Sequence, residues 1–487
     1  MVACCMEECT DSYTVIAVDL DGTLTLTDTL HESVVALVRD NPIYLFALPF
    51  WLAQGKAILK AKVADRVGLD VTTLPYNQPL IDWLKKERGA GERIVLCTAT
   101  NERIAHAVSD HLQLFDEVIA SDTTINIKSA NKRKALEDRF GLKGYDYVGN
   151  STADIEVWAG ARRAIVVNAS NAITKKAAQV AVVSKVFTSN PIKFSDWRRV
   201  FRVHQWLKNM LLFVPLLAAH QIGNIQLLST LILAFISFSL CASAVYMVND
   251  LLDLESDRKH PSKRHRPFAA AVVPIATGAV LAPLFAIASL ALGVMVGPSF
   301  TAWLVIYFLL TCAYSLWLKR LVLIDCLTLA ALYTLRIIAG AAAVAITLSF
   351  WLLAFSIFIF LSLAFVKRYA ELQVQAAAGN FHAHGRGYMV TDAPLVQTLG
   401  IAAGYVAVLV LAFYLHGETV TTLYTQPELI WFVVPLMVFW VSWVWMKAHR
   451  GEMHDDPIVF AIKDKASLAV AVLTAISFML ATKGIGS

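Results

Sequence analysis

The chain has 487 residues, of which 57% are hydrophobic and 16% charged, and its formal net charge is +5. Soluble proteins average about 25% charged residues, so the composition points to a membrane protein. A net charge this small suggests no nucleic-acid partner.

The average conceals a change along the chain. Residues 1 to about 195 read as an ordinary soluble mixture, whereas from about 203 onward apolar stretches of transmembrane length alternate with short loops. The seven cysteines show no disulfide spacing, and Cys4, Cys5 and Cys9 read as part of a frayed tail, with a metal site or lipidation as the alternative. No basic segment followed by an apolar core opens the sequence, which predicts no signal peptide and a first domain that stays in the cytosol.

In the first half, residues 14–19 form a short β-branched apolar run ending in Asp19-Leu20-Asp21-Gly22-Thr23, the pattern of a buried parallel strand. Further strands are predicted at Arg93 to Cys97, ending at Thr98, at Tyr145 to Val148, ending at Gly149-Asn150, and at Ala164 to Val167. Helical segments between them predict a doubly wound α/β sheet, where ligands bind at the carboxyl ends of the strands. Asp19, Asp21, Thr98, Asn150 and Asp154 all fall there. Two carboxylates two residues apart on such a loop suit phosphoryl chemistry, one attacking phosphorus and the other moving the proton.

These motifs resemble the haloacid dehalogenase superfamily over roughly residues 12–185. The resemblance implies Asp19 as nucleophile, Asp21 as general acid/base and Thr98 as the hydroxyl that holds the phosphoryl group. It implies Lys128 as the neutralising lysine, with Lys132 as rival. Asp19, Asp21, Asn150 and Asp154 would hold Mg²⁺. Asn150 stands where that family usually has aspartate, so the site lacks one negative charge and metal affinity should fall. Residues 28–90 would form a small helical cap, and the apolar run from Ile43 to Leu59 reads as a cap or membrane-surface helix. The first domain is set at 1–190 and the second at 191–487.

The second half predicts an all-α membrane domain of nine spans: about 204–221, 226–250, 272–296, 300–318, 321–345, 348–367, 394–415, 428–447 and 466–484. Lysine and arginine concentrate in the loops at 251–267, near 319, after 366 and at 447–465, while the alternate loops carry none. The positive-inside rule puts the basic loops and the active sites on the cytosolic side of a plasma (inner) membrane. An odd span count then leaves the C-terminus outside.

At the end of the second span stands Asn249-Asp250-Leu251-Leu252-Asp253-Leu254-Glu255-Ser256-Asp257. In a helix Asp250, Asp253 and Asp257 stack on one face, an arrangement that repels itself unless a cation such as Mg²⁺ joins it. The basic run Arg258 to Arg266 follows, suited to phosphates left uncovered by metal. Lys208, Lys319, Asp325, Arg336, Lys367 and Arg368 are ionisable positions at or within spans, and Arg336 is costly there without a partner or a function. The plain alternative for each lone cation is a topology signal or snorkelling anchor.

The NDxxDxxxD string, the spans and Tyr314-Ser315-Leu316-Trp317-Leu318-Lys319 closely resemble the UbiA superfamily of intramembrane prenyltransferases, over about residues 195–487. That superfamily carries a second motif, DxxxD, for prenyl diphosphate; here Asp325 is followed at the fourth place by Leu329. A single aspartate looks like the branch of decaprenyl-phosphate phosphoribosyltransferases. So do Gln205-Trp206-Leu207-Lys208-Asn209, His260 to Pro267, Lys367-Arg368-Tyr369-Ala370-Glu371 and Arg386-Gly387-Tyr388.

The resemblance implies attack of a polyprenyl phosphate on phosphoribosyl pyrophosphate. Asp250 and Asp253 would be catalytic, and Asn249, Asp250, Asp253 and Asp257 would hold Mg²⁺ and pyrophosphate. Lys208, Lys263, Arg266, Tyr314, Lys319 and Lys367 would contact substrate phosphates, and Asp325 the ribose hydroxyls. The cytosolic first domain would remove the 5-phosphate from the product. A homo-oligomer is compatible with the sequence, which fixes neither lipid chain length nor pathway. The rivals are an aromatic-ring prenyltransferase using a prenyl diphosphate, with a degenerate first domain, and a transporter or lipid-binding scaffold.

Overall fold

The computed structural model describes residues 14–121, 127–188, 191–379, 386–417, 424–453 and 456–483. Cys4, Cys5 and Cys9 lie outside the described residues. The chain divides into two compact units, Met1–Phe201 with Tyr246–Leu281, and Arg202–Val245 with Ala282–Ser487. The division differs from a simple cut at residue 190, because 246–281 clusters with the N-terminal part.

The first unit is built on six parallel strands in the order β3-β2-β1-β4-β5-β6. They are β1 Val15–Val18, β2 Arg93–Asn101, β3 Glu117–Ser121, β4 Tyr145–Gly149, β5 Arg163–Val167 and β6 Val182–Phe187. Apolar residues cover both faces, as a sheet sandwiched between helices requires. Leu80, Ile81, Leu84, Ala105 and Val108 pack with Ile16, Val18, Ile94 and Leu96. Leu136, Val157, Trp158 and Ala177 pack with Val15, Ala17, Val95 and Tyr147. The sequence reading missed β3 and β6. β3 is short and mostly half-buried, and β6 is an edge strand exposed at most positions, so neither shows a continuous apolar run.

β1 runs between β2 and β4, with Ile16 opposite both Ile94 and Asp146, so its carboxyl end sits at the centre of the sheet. The chain then turns tightly through residues 20–24. A short antiparallel stem follows, in which Leu26 N donates to Pro75 O at 2.8 Å and Asn77 N to Leu24 O at 2.9 Å. Between the arms of this stem rise α1 (Thr29–Asp40), α2 (Tyr44–Ala53) and α3 (Lys56–Ala64), joined through Leu37, Leu59, Val63 and Val67. The Asp28 carboxylate caps α1 by accepting from Leu30 N. The helix Gln78–Gly89, expected within a cap of 28–90, instead packs on the sheet.

Residues 246–281 complete this unit. They hold the last turns of α4 (Ile225–Leu252), the short helix α5 (Leu254–Lys259) and the start of α6 (Ile275–Val296). Arg258 grips Glu32 of α1 with two bonds of 2.6 and 3.1 Å, and both side chains are buried. Arg39 pairs with Glu255 at 2.6 Å, and Lys259 with Asp70 at 3.0 Å.

Across the described residues eight helices are long and apolar enough to cross a membrane: Ile225–Leu252, Ile275–Val296, Pro298–Leu316, Ile324–Ala343, Phe350–Ala377, Val390–His416, Pro427–His449 and Lys465–Thr482. The protein is a multi-pass membrane protein. The expected first span at 204–221 is not among the eight. It forms a 3-10 helix, Val203–Phe213, and a five-residue helix, Val214–Ala218, with Pro215 in its first turn. Polar partners hold it: Asn209 bonds Ser239 at 3.0 Å, and Arg336 donates to Asn209 Oδ1 at 2.9 Å and to the Tyr307 hydroxyl at 3.0 Å. This also accounts for the arginine buried in an apolar helix. Eight long helices among the described residues replace the nine expected, an even number that no longer puts the C-terminus outside. In the second unit Gly400 lets neighbouring helices close up, since a Cβ there would lie 2.2 Å from Trp445.

Candidate active sites

The carboxyl end of β1 opens on a cavity of about 930 Å³. Asp19, Asp21, Lys128, Lys132, Asn150 and Asp154 line one part of it, and Leu45, Leu48, Pro49 and Leu52 of α2 another. Asp19 accepts from Lys132 Nζ at 2.7 Å, and the same ammonium bonds the Tyr147 hydroxyl at 2.9 Å. Tyr147 in turn donates to Asp154 Oδ1 at 2.9 Å. Asp154 Oδ2 accepts from the backbone N–H of Asn150 and Ser151 and from the Ser151 hydroxyl, at 2.9–3.0 Å. Asp21 accepts from Thr29 at 2.8 Å and from the Thr100 hydroxyl at 2.6 Å.

One correction follows. Lys132 and not Lys128 neutralises Asp19: Lys128 is exposed on the cavity wall, one helical turn away in sequence. Thr98 is fully buried and accepts from Thr100 N at 3.1 Å, while the neighbouring Thr100 reaches Asp21. Tyr147 and Thr100 escaped the sequence reading because neither belongs to a short motif; both are two places from residues that do.

Burial pushes the Asp19 carboxyl up to about 7, with the Lys132 charge acting against the rise and the Asp154 and Asp21 charges adding to it. Burial also raises Asp21, with the Asp28 charge adding and Thr100 and Thr29 opposing. A loop of carboxylates that repel one another fits a hard divalent cation with oxygen ligands. Gly22, at φ +73°, keeps the loop clear of Asn150: a Cβ there would lie 2.1 Å from its amide nitrogen.

The acidic segment at 249–257 bends at Asp253, between α4 and α5. Asp250 and Asp257 are buried, and Arg266 Nη1 bridges them at 3.1 and 2.6 Å. The expected stack of three carboxylates is thus a pair clasped by an arginine, with Asp253 at the helix junction. Burial holds the Asp257 carboxyl above its ordinary range, against the opposing charges of Arg266 and Lys263. Asn249 is half-buried and Lys263 exposed. Among the described residues no three His, Cys, Asp or Glu side chains already stand as a metal cluster. The oxygen donors themselves suit Mg²⁺, and three acidic side chains against Arg266 leave charge for it to balance.

The second unit gathers a different network. Asp325 is fully buried; Oδ2 accepts from Arg368 at 2.5 Å and Arg386 at 3.3 Å, and Oδ1 from Tyr388 at 2.6 Å and Cys326 N at 2.7 Å. Arg386 also bonds the Tyr314 hydroxyl at 3.3 Å, and Arg368 pairs with Glu371. A carboxylate has about four acceptor positions, and all of those on Asp325 are filled. Asp325, expected at the ribose hydroxyls, is the anchor of a ring of cations and phenols in this structure. Lys208 Nζ pairs with Asp456 at 2.6 Å, and Lys367 reaches the same carboxylate at 3.5 Å. Asp456 lies in the basic loop 447–465. Lys319 is half-buried in the turn Leu318–Arg320.

The profile of the UbiA prenyltransferase family matches residues 210–482. The chain belongs to the UbiA prenyltransferase family.

Among its relatives, the uncharacterized protein y4nM of Sinorhizobium fredii is 34% identical across 97% of this chain and 92% of its own length, so the likeness spans both halves. The decaprenyl-phosphate phosphoribosyltransferase of Mycobacterium tuberculosis is 32% identical over 56% of this chain and 90% of its own. A UbiA homolog from Archaeoglobus fulgidus, solved with GPP and Mg²⁺, is similar at 14% identity and a TM-score of 0.44, covering 58% of this chain and 97% of that one. A phosphoserine phosphatase in apo form is similar at 16% identity and a TM-score of 0.28, covering 36% of this chain and 94% of that one. This UbiA member is thus a membrane transferase that carries an α/β domain with a parallel sheet ahead of its membrane helices.

Proposed function

We propose that the protein transfers 5-phosphoribose from phosphoribosyl pyrophosphate to a polyprenyl phosphate in a Mg²⁺-dependent reaction, and that its first domain then removes the 5-phosphate. The observation that carries the choice of substrate is Asp325. Its acceptor positions are taken by Arg368, Arg386 and Tyr388, and the next position for a paired aspartate on that helix is Leu329. A second metal site for a prenyl diphosphate has no pair of carboxylates there. The relative named decaprenyl-phosphate phosphoribosyltransferase supports the same choice.

A lipid phosphate oxygen attacks the anomeric carbon, a C–O bond forms, and the bond to pyrophosphate breaks. The nucleophile is already an anion, so no strong base is needed. Holding two polyanions together and stabilising the departing charge is the task. Asn249, Asp250, Asp253 and Asp257 would hold Mg²⁺, which supplies charge to the pyrophosphate. Arg266, Lys263, Tyr314, Lys319, Lys208 and Lys367 would bind substrate phosphates. The basic loops support a reaction on the cytosolic face.

In the first domain Asp19 attacks the phosphorus of the 5-phosphate. The ester P–O bond breaks, and Asp21 gives its proton to the departing ribose oxygen. Water then attacks the aspartyl phosphate, Asp21 takes a proton back, and inorganic phosphate leaves. Asp19, Asp21, Asn150 and Asp154 would hold Mg²⁺, and Lys132 steadies the Asp19 charge. The raised Asp21 carboxyl suits a group that must begin as an acid. The experiment is to supply Asp19→Asn with both transferase substrates. The phosphorylated lipid should accumulate at an undiminished rate; wild type stopping at the same lipid would refute the phosphatase step.

A further inference from the structure

α2 has the sequence YLFALPFWLA, and no charged residue occurs from Pro42 to Ala53. Three of its faces are used differently. Tyr44, Leu48 and Trp51 pack on the cap core, and Leu45, Pro49 and Leu52 join Leu48 in lining the cavity. The remaining face leaves Phe46 80% and Phe50 75% exposed, beside Ile43 at 72%. A helix apolar all round belongs in a core or in lipid, and this one is not in a core. Its 10 residues are too short to cross a bilayer, so it would lie in the plane of the interface.

The same unit places α2 beside the ends of two membrane helices. Pro274, Ile275 and Ala276, at the start of membrane helix α6, line the cavity together with α2. On the other side α1 is tied by Glu32–Arg258 and Arg39–Glu255 to α5, which follows within two residues of the end of membrane helix α4. The cap is thus fastened to the chain where it enters and leaves the bilayer. Trp51 carries Lys62 at 5.6 Å and Arg66 at 5.1 Å over its ring, a pairing suited to the headgroup layer.

We propose that α2 lies in the bilayer interface and that the cavity beneath it takes a phosphate monoester carried on a membrane lipid, with the lipid chain leaving between α2 and the start of α6. The choice of ester rests on the phosphatase reading; the membrane seat of α2 does not. The full chain, in nanodiscs of phosphatidylcholine and phosphatidylglycerol, is given p-benzoylphenylalanine in place of Phe46 and irradiated. Lipid adducts should form as they do from Ile287, exposed on α6, and at least tenfold more than from Leu142, exposed in the sheet domain. Adducts to protein, or a yield equal to that at Leu142, overturn the proposal. In parallel, Phe46→Glu with Phe50→Glu should slow phosphate release from polyprenyl-phosphoryl ribose 5-phosphate about tenfold and leave p-nitrophenyl phosphate unaffected. Equal effects on both probes overturn the lipid route. A wild type that hydrolyses neither probe refutes the phosphatase reading, and the cross-link alone then decides the seat of α2.

Discussion

Lys132 and Asp19 are 113 positions apart in sequence and meet at 2.7 Å behind the carboxyl end of β1. The helix Ala130–Phe140 brings the lysine in, and Tyr147 on β4 holds it from the other side. Lys132→Met should cut phosphate release by about 100-fold or more, the usual effect of removing a group that stabilises charge at the reacting centre. Lys128→Met should cost about threefold at most, the effect of a rim charge on substrate capture. The reverse order of the two variants would restore Lys128 to the role first expected of it.

The Asp19 carboxyl is raised to about 7, chiefly by burial. Without metal it therefore takes up a proton as pH falls through that value, and Mg²⁺ must displace the proton to bind. The Mg²⁺ concentration for half-maximal phosphate release should be nearly flat above about pH 8 and rise about tenfold per unit below about pH 6. In Lys132→Met the influence that lowers the carboxyl is gone, so the break should move to higher pH. A Mg²⁺ requirement independent of pH from 5 to 8 would contradict this assignment of Asp19 as ligand.

Asp250→Asn and Asp253→Asn should each lower lipid product by about 100-fold or more, and EDTA should do the same to the wild type. Both variants should stay folded in the membrane, because Arg266 keeps Asp257 as a partner in either. Product formation by wild type in EDTA would remove Mg²⁺ from the account.

Asp325 leads to a different expectation. Asp325→Asn strips the fully buried Arg368 of one of its two carboxylates, and losing a buried partner costs about 3 kcal/mol or more. The variant should show a lowered melting temperature in detergent before any effect on turnover is interpretable. A normal melting temperature with lost activity would instead favour direct contact with ribose.

Much of this molecule was legible from short strings. DLDGT and NDxxDxxxD announced both carboxylate sets, and apolar length announced eight of the helices. What escaped depends on contacts distant in sequence. Lys132 and Lys128 lie only four positions apart, so either falls about one helix before the last motif; the packing of one helix on the sheet separates them. The family resemblance makes Asp325 a ribose contact, and the loop residues Arg386 and Tyr388, more than 60 positions on, show that its acceptors are engaged within the protein. The segment at 204–221 has the composition of a span, but Pro215 interrupts it, and Lys208 and Asn209 find partners distant in sequence in Asp456, Ser239 and Arg336.

Transfer of a phosphoribosyl group to a lipid phosphate can be followed directly with a label. Purified protein in nanodiscs is incubated with Mg²⁺, polyprenyl phosphate and phosphoribosyl pyrophosphate labelled in the ribose. Label should enter the lipid phase, depend on the polyprenyl phosphate, and vanish with Asp250→Asn. Label confined to the aqueous phase, together with transfer of a labelled prenyl group from a prenyl diphosphate to an aromatic acid such as 4-hydroxybenzoate, would contradict the account.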